Sequence, residues 1–238
     1  MCLSRKPAQI MVFQITNSMQ PFRLPALQNY EYISTIGEGT YGVVWKCRDK
    51  VSGRLVAVKA FKEAHRDRVA LKLAVREAKV LSMIKHPNIV KMTASYRSKS
   101  GRLYLVLEYI ETSLHSHLKR FPCGLPAVLT KILCWQLLYA VAYLHEDKIL
   151  HRDIKPDNIL VTNKGVLKLC DFGFARHTFC EPRNVQHCTQ YITTRWYRSP
   201  DYLATGYEPR QRVPRSLASF AHLLVLIFAI IGLHNGEG

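Results

Sequence analysis

The sequence predicts a globular chain that mixes helix and strand, and three observations carry that expectation. Residues 56–59, VAVK, alternate apolar and polar-facing positions with the period of two expected of a half-buried strand. Residues 69–84 and 128–145 instead repeat their apolar residues at steps of three and four, the period of an amphipathic helix. Of the 238 residues 48% are apolar, which is ample for a core and suits one large or two small domains.

The elements follow in order. Residues 1–29 carry Arg5, Lys6 and Arg23 with no acidic residue, and Pro7, Pro21 and Pro25 would interrupt the amphipathic helix of a mitochondrial presequence, so a disordered basic leader is expected. Residues 36–44, IGEGTYGVV, set a glycine-rich turn between strand-forming residues. Gly37, Gly39 and Gly42 lack a Cβ, so the backbone there can approach a phosphate closely, although such a turn alone also suits a hairpin or a dinucleotide site. The strand 56–59 ends in the cation Lys59. In 69–84 the apolar stripe is read as Leu71, Val75, Ala78, Leu81 and Ile84, with Glu77 on the same helix. In isolation Lys59 and Glu77 read as solvated charges. Residues 103–107 alternate into another strand, and 128–145 form the clearest helix, with Leu129, Ile132, Leu133, Leu137, Val141 and Leu144 as its apolar face. A short apolar strand, 166–169, precedes Cys170 and Asp171. No internal repeat is present.

Charge and cysteine narrow the classes. The formal charge is +17, yet no run of five or six basic residues occurs, so a nucleic-acid partner is not expected. Seven cysteines without a CxxC pair indicate neither a disulfide framework nor a zinc cluster and suit a reducing cytoplasm or nucleus. Cys170 reads as a small buried hydrophobe, within reach of an electrophile if it faces a pocket.

The chemistry concentrates in residues 151–158, HRDIKPDN. Asp153 can accept the proton of an attacking hydroxyl, Lys155 can hold a transferring phosphate by charge, and Asn158 can offer a carbonyl oxygen to magnesium. Asp171, in the triplet Asp171-Phe172-Gly173, is a hard oxygen anion suited to the same hard cation.

Taken together, the glycine loop, VAVK, the helical glutamate, HRDIKPDN and the Asp-Phe-Gly triplet resemble a protein kinase domain over residues 30–202. The phrases GEGTYGVVWKC (37–47), KLCDFGFAR (168–176) and TQYITTRWYRSPD (189–201) are most similar to the cyclin-dependent-kinase-like serine/threonine kinases, within the cyclin-dependent and mitogen-activated group. The resemblance implies an α+β, two-lobed fold: a β-rich N-lobe with one helix (30–108) and a helical, incomplete C-lobe (109–202), followed by a divergent tail (203–238). It implies ATP and Mg2+, a protein substrate, and possible proline-directed transfer to serine or threonine. Asp153, Lys155 and Thr194 take the catalytic roles, Thr194 bracing Asp153, while Asn158 and Asp171 hold the metal. Ile36, Gly37, Gly39, Gly42, Val44, Ala57, Lys59, Glu77, Glu108, Ile110 and Leu160 take the nucleotide, and the order of the motifs reverses the solvated reading of Lys59 and Glu77, the glutamate pairing with the lysine to hold it against the phosphates. Residues 108–110 form the hinge and Leu107 the gatekeeper. Thr189 and Tyr191 stand where an upstream kinase would act, with Arg152, Arg195 and Arg198 to receive the phosphates, and Thr40 and Tyr41 where inhibitory phosphates would sit. A cyclin-like partner is left open.

After Pro200 the pattern breaks. The buried helix carrying DxWSxG is missing, Asp201 stands where the family has the glutamate of APE, and the arginine that pairs with that glutamate is absent. The expected consequences are weak or no kinase activity, or a catalytically silent nucleotide-binding or partner-binding fragment, because the catalytic loop loses its support. Residues 217–233 are apolar apart from Ser219 and His222, and Arg210, Arg212 and Arg215 precede them. They read as a membrane tail anchor, as a helix filling the groove of the missing one, or as an exon that never evolved to fold there.

Overall fold

The computed structural model describes residues 27–39, 42–61, 67–98, 101–121 and 124–177. Residues 1–26 of the leader, Thr40, Tyr41, the segment 189–201 with Thr194, and residues 217–233 lie outside the described residues; Leu27, at the end of the expected leader, is instead fully buried. Two compact units are present: the first takes in Val90–Ile110 and the residues before His86, the second His86–Ile89 and the residues from Glu111 onward.

The first unit is built on a five-stranded antiparallel sheet in the order β1-β2-β3-β5-β4, from β1 (Tyr30–Gly39), β2 (Gly42–Asp49), β3 (Leu55–Ala60), β4 (Met92–Arg97) and β5 (Leu103–Glu108). Side chains alternate across a strand, so the register sorts them by face. Cys47, Val56, Val58, Ala60, Tyr104 and Val106 close with Leu27 into one core cluster, against which Tyr30, Val43, Trp45, Ala94 and Tyr96 pack. Trp45 stacks on Tyr104 with ring centroids 6.4 Å apart. Burial pushes the Tyr30 phenol well above its ordinary range, aided by its hydrogen bond to Tyr96.

The helix α1 (Arg68–Met83) starts where the Asp67 carboxylate accepts the Val69 N–H at 2.7 Å and stops just before His86-Pro87, whose proline disfavours helix in the residue ahead of it. Its buried stripe is Ala70, Leu73, Ala74, Glu77, Val80 and Leu81. This corrects the sequence reading: Leu81 and Ile84 are buried, but Val75 is 50% exposed and Leu71 and Ala78 only half-buried. The apolar residues alone place the stripe to one side of Glu77, which lies in the middle of the buried face.

The second unit holds β6 (Thr112–Ser113), α2 (Leu114–Arg120), α3 (Ala127–Glu146), β7 (Ile149–Leu150), β8 (Ile159–Val161), β9 (Leu167–Leu169) and β10 (Arg176–His177). Strands β6, β8 and β9 form a three-stranded sheet, and β7 pairs with β10. Helix α3 follows Pro126 and ends at Glu146 with Asp147 as its cap; Lys148 comes next, and its φ of 58° is the left-handed turn that closes many helices. It buries Thr130, Leu133, Leu137, Ala140, Val141 and Leu144. Ile132, expected on this face, is 48% exposed, and Leu129 is half-buried.

The corrected stripe of α1 yields a prediction. Leu73→Ala should cost about 2–5 kcal/mol, as loss of a buried leucine does, whereas Val75→Ala should stay within about 0.5 kcal/mol. Urea denaturation of both variants checks this, and equal costs would restore the stripe read from the sequence.

Candidate active site

In the first unit, Lys59 sits on β3 opposite Val44 of β2 and Leu105 of β5. Directly paired residues share a face, so Val44, Ala57, Lys59 and the expected gatekeeper Leu107 lie on the side of the sheet turned away from the core cluster. The Lys59 ammonium donates to both carboxylate oxygens of Glu77, at 2.9 and 2.8 Å. Glu77 is 1% exposed as a side chain and Lys59 15%, so they form a buried ion pair, the pairing that the order of the motifs implies.

Ile36, Gly37 and Gly39 lie at the end of β1, and Gly42 and Val44 at the start of β2. Gly42 has a reason to be glycine beyond any phosphate: a Cβ there would overlap the carbonyl oxygen of Ala60. A Cβ at Gly39 would meet nothing within 4 Å. Glu108 closes β5, where its N–H donates to the Lys91 carbonyl at 2.9 Å and its carboxylate accepts the Lys91 N–H at 2.7 Å. Its side chain is therefore occupied in tying β5 to the start of β4. Ile110, half-buried, follows the strand, and the Lys46 ammonium lies 4.6 Å from the ring centre of Tyr109.

In the second unit the loop 151–158 folds back on itself. The buried Asp153 carboxylate receives the Lys155 ammonium at 3.1 Å and the Asn158 amide at 2.8 Å, both on Oδ2. Asn158 also donates to the Asp153 carbonyl at 2.8 Å. Its Nδ2 is thus spent on Asp153, leaving Oδ1 as the side chain's remaining polar atom, the atom a cation needs. Asn158 ends a 3₁₀ turn, Pro156–Asn158, and Leu160, half-buried, follows on β8.

Asp171 comes directly after β9 with a φ of 62°, and Arg152 has a φ of 68°. Aspartate tolerates the left-handed region; for arginine it is a strained conformation, held here by its Nε–H donating to the Phe174 carbonyl at 2.8 Å. Asn158 and Asp171 are a suitable donor pair for Mg2+, which usually takes one or two protein oxygens and fills its octahedron with phosphate and water. Among the described residues no group of three or more His, Cys, Asp or Glu side chains is gathered to hold a metal ion.

Three positioning residues were not anticipated. His151 accepts the Asp153 N–H at Nδ1 (3.3 Å), so its proton sits on Nε2 and donates to the Cys170 carbonyl at 3.0 Å. Asn88 donates to the Gln136 Oε1 at 2.7 Å and to the Leu167 carbonyl at 3.0 Å. Gln136 on α3 accepts from the Leu167 N–H and donates to the Gly165 carbonyl, both at 2.9 Å. The only sequence signal for this set is a polar residue inside an apolar run. Cys170 is half-buried, and its thiol donates to the Asn158 carbonyl at 3.3 Å.

Burial lowers the pKa of His151, His145 and His86; in His151 the Cys170 carbonyl and the carboxylates of Asp153 and Asp171 oppose it without cancelling it, and in His86 the Lys168 ammonium adds to it. Each imidazole is neutral when folded and more basic when unfolded. Their contribution to stability is complete above the unfolded value near about 6.5 and is lost as pH falls below it. The melting temperature should therefore drop between pH 7.5 and 5.5, less steeply in His145→Gln, as scanning calorimetry would read. For the ion pair, Lys59→Met strands the buried Glu77 and should cost about 3–5 kcal/mol, while Lys59→Met with Glu77→Leu should recover most of it. Chemical denaturation of the single and double variants distinguishes a buried pair from a surface one, whose loss would cost little. Gly42→Ala should lower the melting temperature by several degrees, and Gly39→Ala should leave it close to the parent.

Residues 30–215 match the family model described as protein kinase domain. The chain is 45% identical over 177 residues to mouse cyclin-dependent kinase-like 4, which covers 74% of the chain and 50% of that protein. It is 44% identical to rat cyclin-dependent kinase-like 2, covering 34% of it, and 42% identical to mouse cyclin-dependent kinase-like 5, covering 19%, again over 74% of the chain. The chain thus spans half or less of the length of these curated relatives. The buried lysine–glutamate pair, the folded-back HRDIKPDN loop and the family match across most of the sequence agree, and the chain belongs to the protein kinase domain family, similar to its cyclin-dependent kinase-like members.

Proposed function

We propose that this domain is an ATP-dependent serine/threonine protein kinase, which transfers the γ-phosphate of ATP to protein hydroxyls. The observation that carries the reading is the buried Asp153 carboxylate drawing Lys155 and Asn158 onto one oxygen. That arrangement pre-positions a base for the acceptor hydroxyl, a cation for the charge on the transferred group and an amide oxygen for a metal, with little rearrangement left to the reaction.

Asp153 accepts the hydroxyl proton. Lys155 neutralises charge on the phosphoryl group, and Lys59, held by Glu77, binds the nucleotide phosphates. Asn158 and Asp171 would hold Mg2+, which when bound supplies charge neutralisation at the phosphates. Buried His151 keeps the loop and the backbone ahead of Asp171 in fixed register. Thr194, Thr189 and Tyr191 lie outside the described residues; in this reading Thr194 braces Asp153, and phosphates on the other two pair with nearby arginines. The cyclin-dependent kinase-like similarity favours a serine or threonine followed by proline as acceptor.

Asp153→Asn tests the assignment. Phosphate transfer to a Ser-Pro peptide should fall by about 10²- to 10⁴-fold while the thermal shift given by MgATP stays close to that of the parent. Equal loss of nucleotide binding would remove Asp153 from its role. A parent chain that binds MgATP but transfers no phosphate to Ser-Pro or Ser-Ala peptides would be the silent nucleotide-binding domain that the sequence break after Pro200 allows.

A further inference from the structure

Helix α3 is apolar on both sides. One side supplies Leu133, Leu137, Ala140, Val141 and Leu144 to the core of the second unit. The other presents Val128, Ile132, Trp135 and Tyr139, separated by four, three and four residues, so that they form one stripe along the helix. Val128 is 71% and Trp135 64% exposed, and the Trp135 ring stacks on Tyr139 at 5.4 Å. By length and composition α3 would even suffice to cross a membrane. Its buried leucines and the bonds of Gln136 tie it into the core instead. A continuous apolar stripe of this kind marks a surface made to be covered.

We propose that residues 217–233 of this same chain cover it, as an apolar helix lying antiparallel to α3. The segment lies outside the described residues, and its sequence supplies the argument. Its polar side chains are only Ser219 and His222. As a helix it would be about 25 Å long, more than the roughly 16 Å from Val128 to Tyr139. Residues 178–216 join the last described strand to it, and a small fraction of them, at about 3.3 Å each, spans the length of α3.

Charge sets the direction. Arg210, Arg212 and Arg215 precede the segment, while α3 ends in the exposed Glu146 and Asp147 at its electronegative carbonyl end, with Lys148 offsetting only part of that charge. The antiparallel arrangement brings the arginines to that end; a parallel one would bring them towards Lys131. A tethered segment also meets the stripe at high effective concentration, ahead of a second copy. A membrane is the poorer fit, since a span needs about 20 apolar residues and the uninterrupted stretch here, 223–233, is eleven. The assignment is independent of the catalytic reading.

The test is photocrosslinking in the full chain, with benzoylphenylalanine replacing Trp135. Equal amounts of ¹⁴N- and ¹⁵N-labelled protein are mixed, irradiated and digested with trypsin. The expected product is an adduct between α3 and the tryptic peptide 216–238 in which both halves carry the same isotope. Adducts of mixed isotope would assign the stripe to a second copy and overturn the proposal. So would the absence of any adduct to 216–238, or its appearance only after vesicles of phosphatidylcholine and phosphatidylserine are removed, with the protein sedimenting with those vesicles. A second variant guards against a folding artefact: Leu224→Asp with Ile227→Asp should abolish the adduct and raise iodide quenching of Trp135 several-fold in a Trp45→Phe, Trp196→Phe background. Quenching of the parent already at the level of a free indole would also overturn it.

Discussion

Strand β3 obeys a single geometric constraint from which the first unit follows. A strand turns successive side chains to opposite faces, so once Val56, Val58 and Ala60 enter the core cluster, Ala57 and Lys59 have no freedom to join them. Hydrophobic burial on one face thereby fixes a cation on the other, and the buried carboxylate of Glu77 makes that position tolerable. The ion pair contributes positioning more than net stability. Two charges removed from water gain back little beyond their desolvation cost, but only one arrangement of β3 and α1 satisfies both.

The second unit solves a different problem. Loop 151–158 has almost no regular structure, so its shape cannot come from a ladder and comes instead from buried side chains that replace one. His151 joins the Asp153 amide to the Cys170 carbonyl, Asn158 joins two atoms of Asp153, and Arg152 fastens a strained backbone to Phe174. Buried polar networks of this kind specify a conformation because a slip of one residue leaves several groups unpaired at once.

Much of this was legible in the chain. Period-two residues 56–59 and the period of 128–145 gave the right element types, and HRDIKPDN marked the residues that the fold gathers around Asp153. The orientation of α1 was not legible, because alanine at positions 70 and 74 counts little in an apolar pattern yet is fully buried, while Val75 counts heavily and is half exposed. The pairing of Glu77 with Lys59 is legible through the family motif, whereas its burial within the stripe is not, since an apolar pattern assigns charge to the surface by default. Asn88, Gln136 and His151 act through partners 19 to 79 residues away, several of them backbone carbonyls, and backbone carbonyls leave no trace in residue type.

Gln136 gathers three of these long-range bonds in one primary amide, linking α3 to Asn88 and to both ends of the Gly165 to Leu167 turn. The helix and the β8–β9 hairpin therefore cannot open one without exposing the polar atoms of the other. Their amide protons should exchange with solvent through a shared opening event, which makes this part of the second unit a single cooperative block, and the rigidity of the loop between them is inherited from that block's free energy of opening.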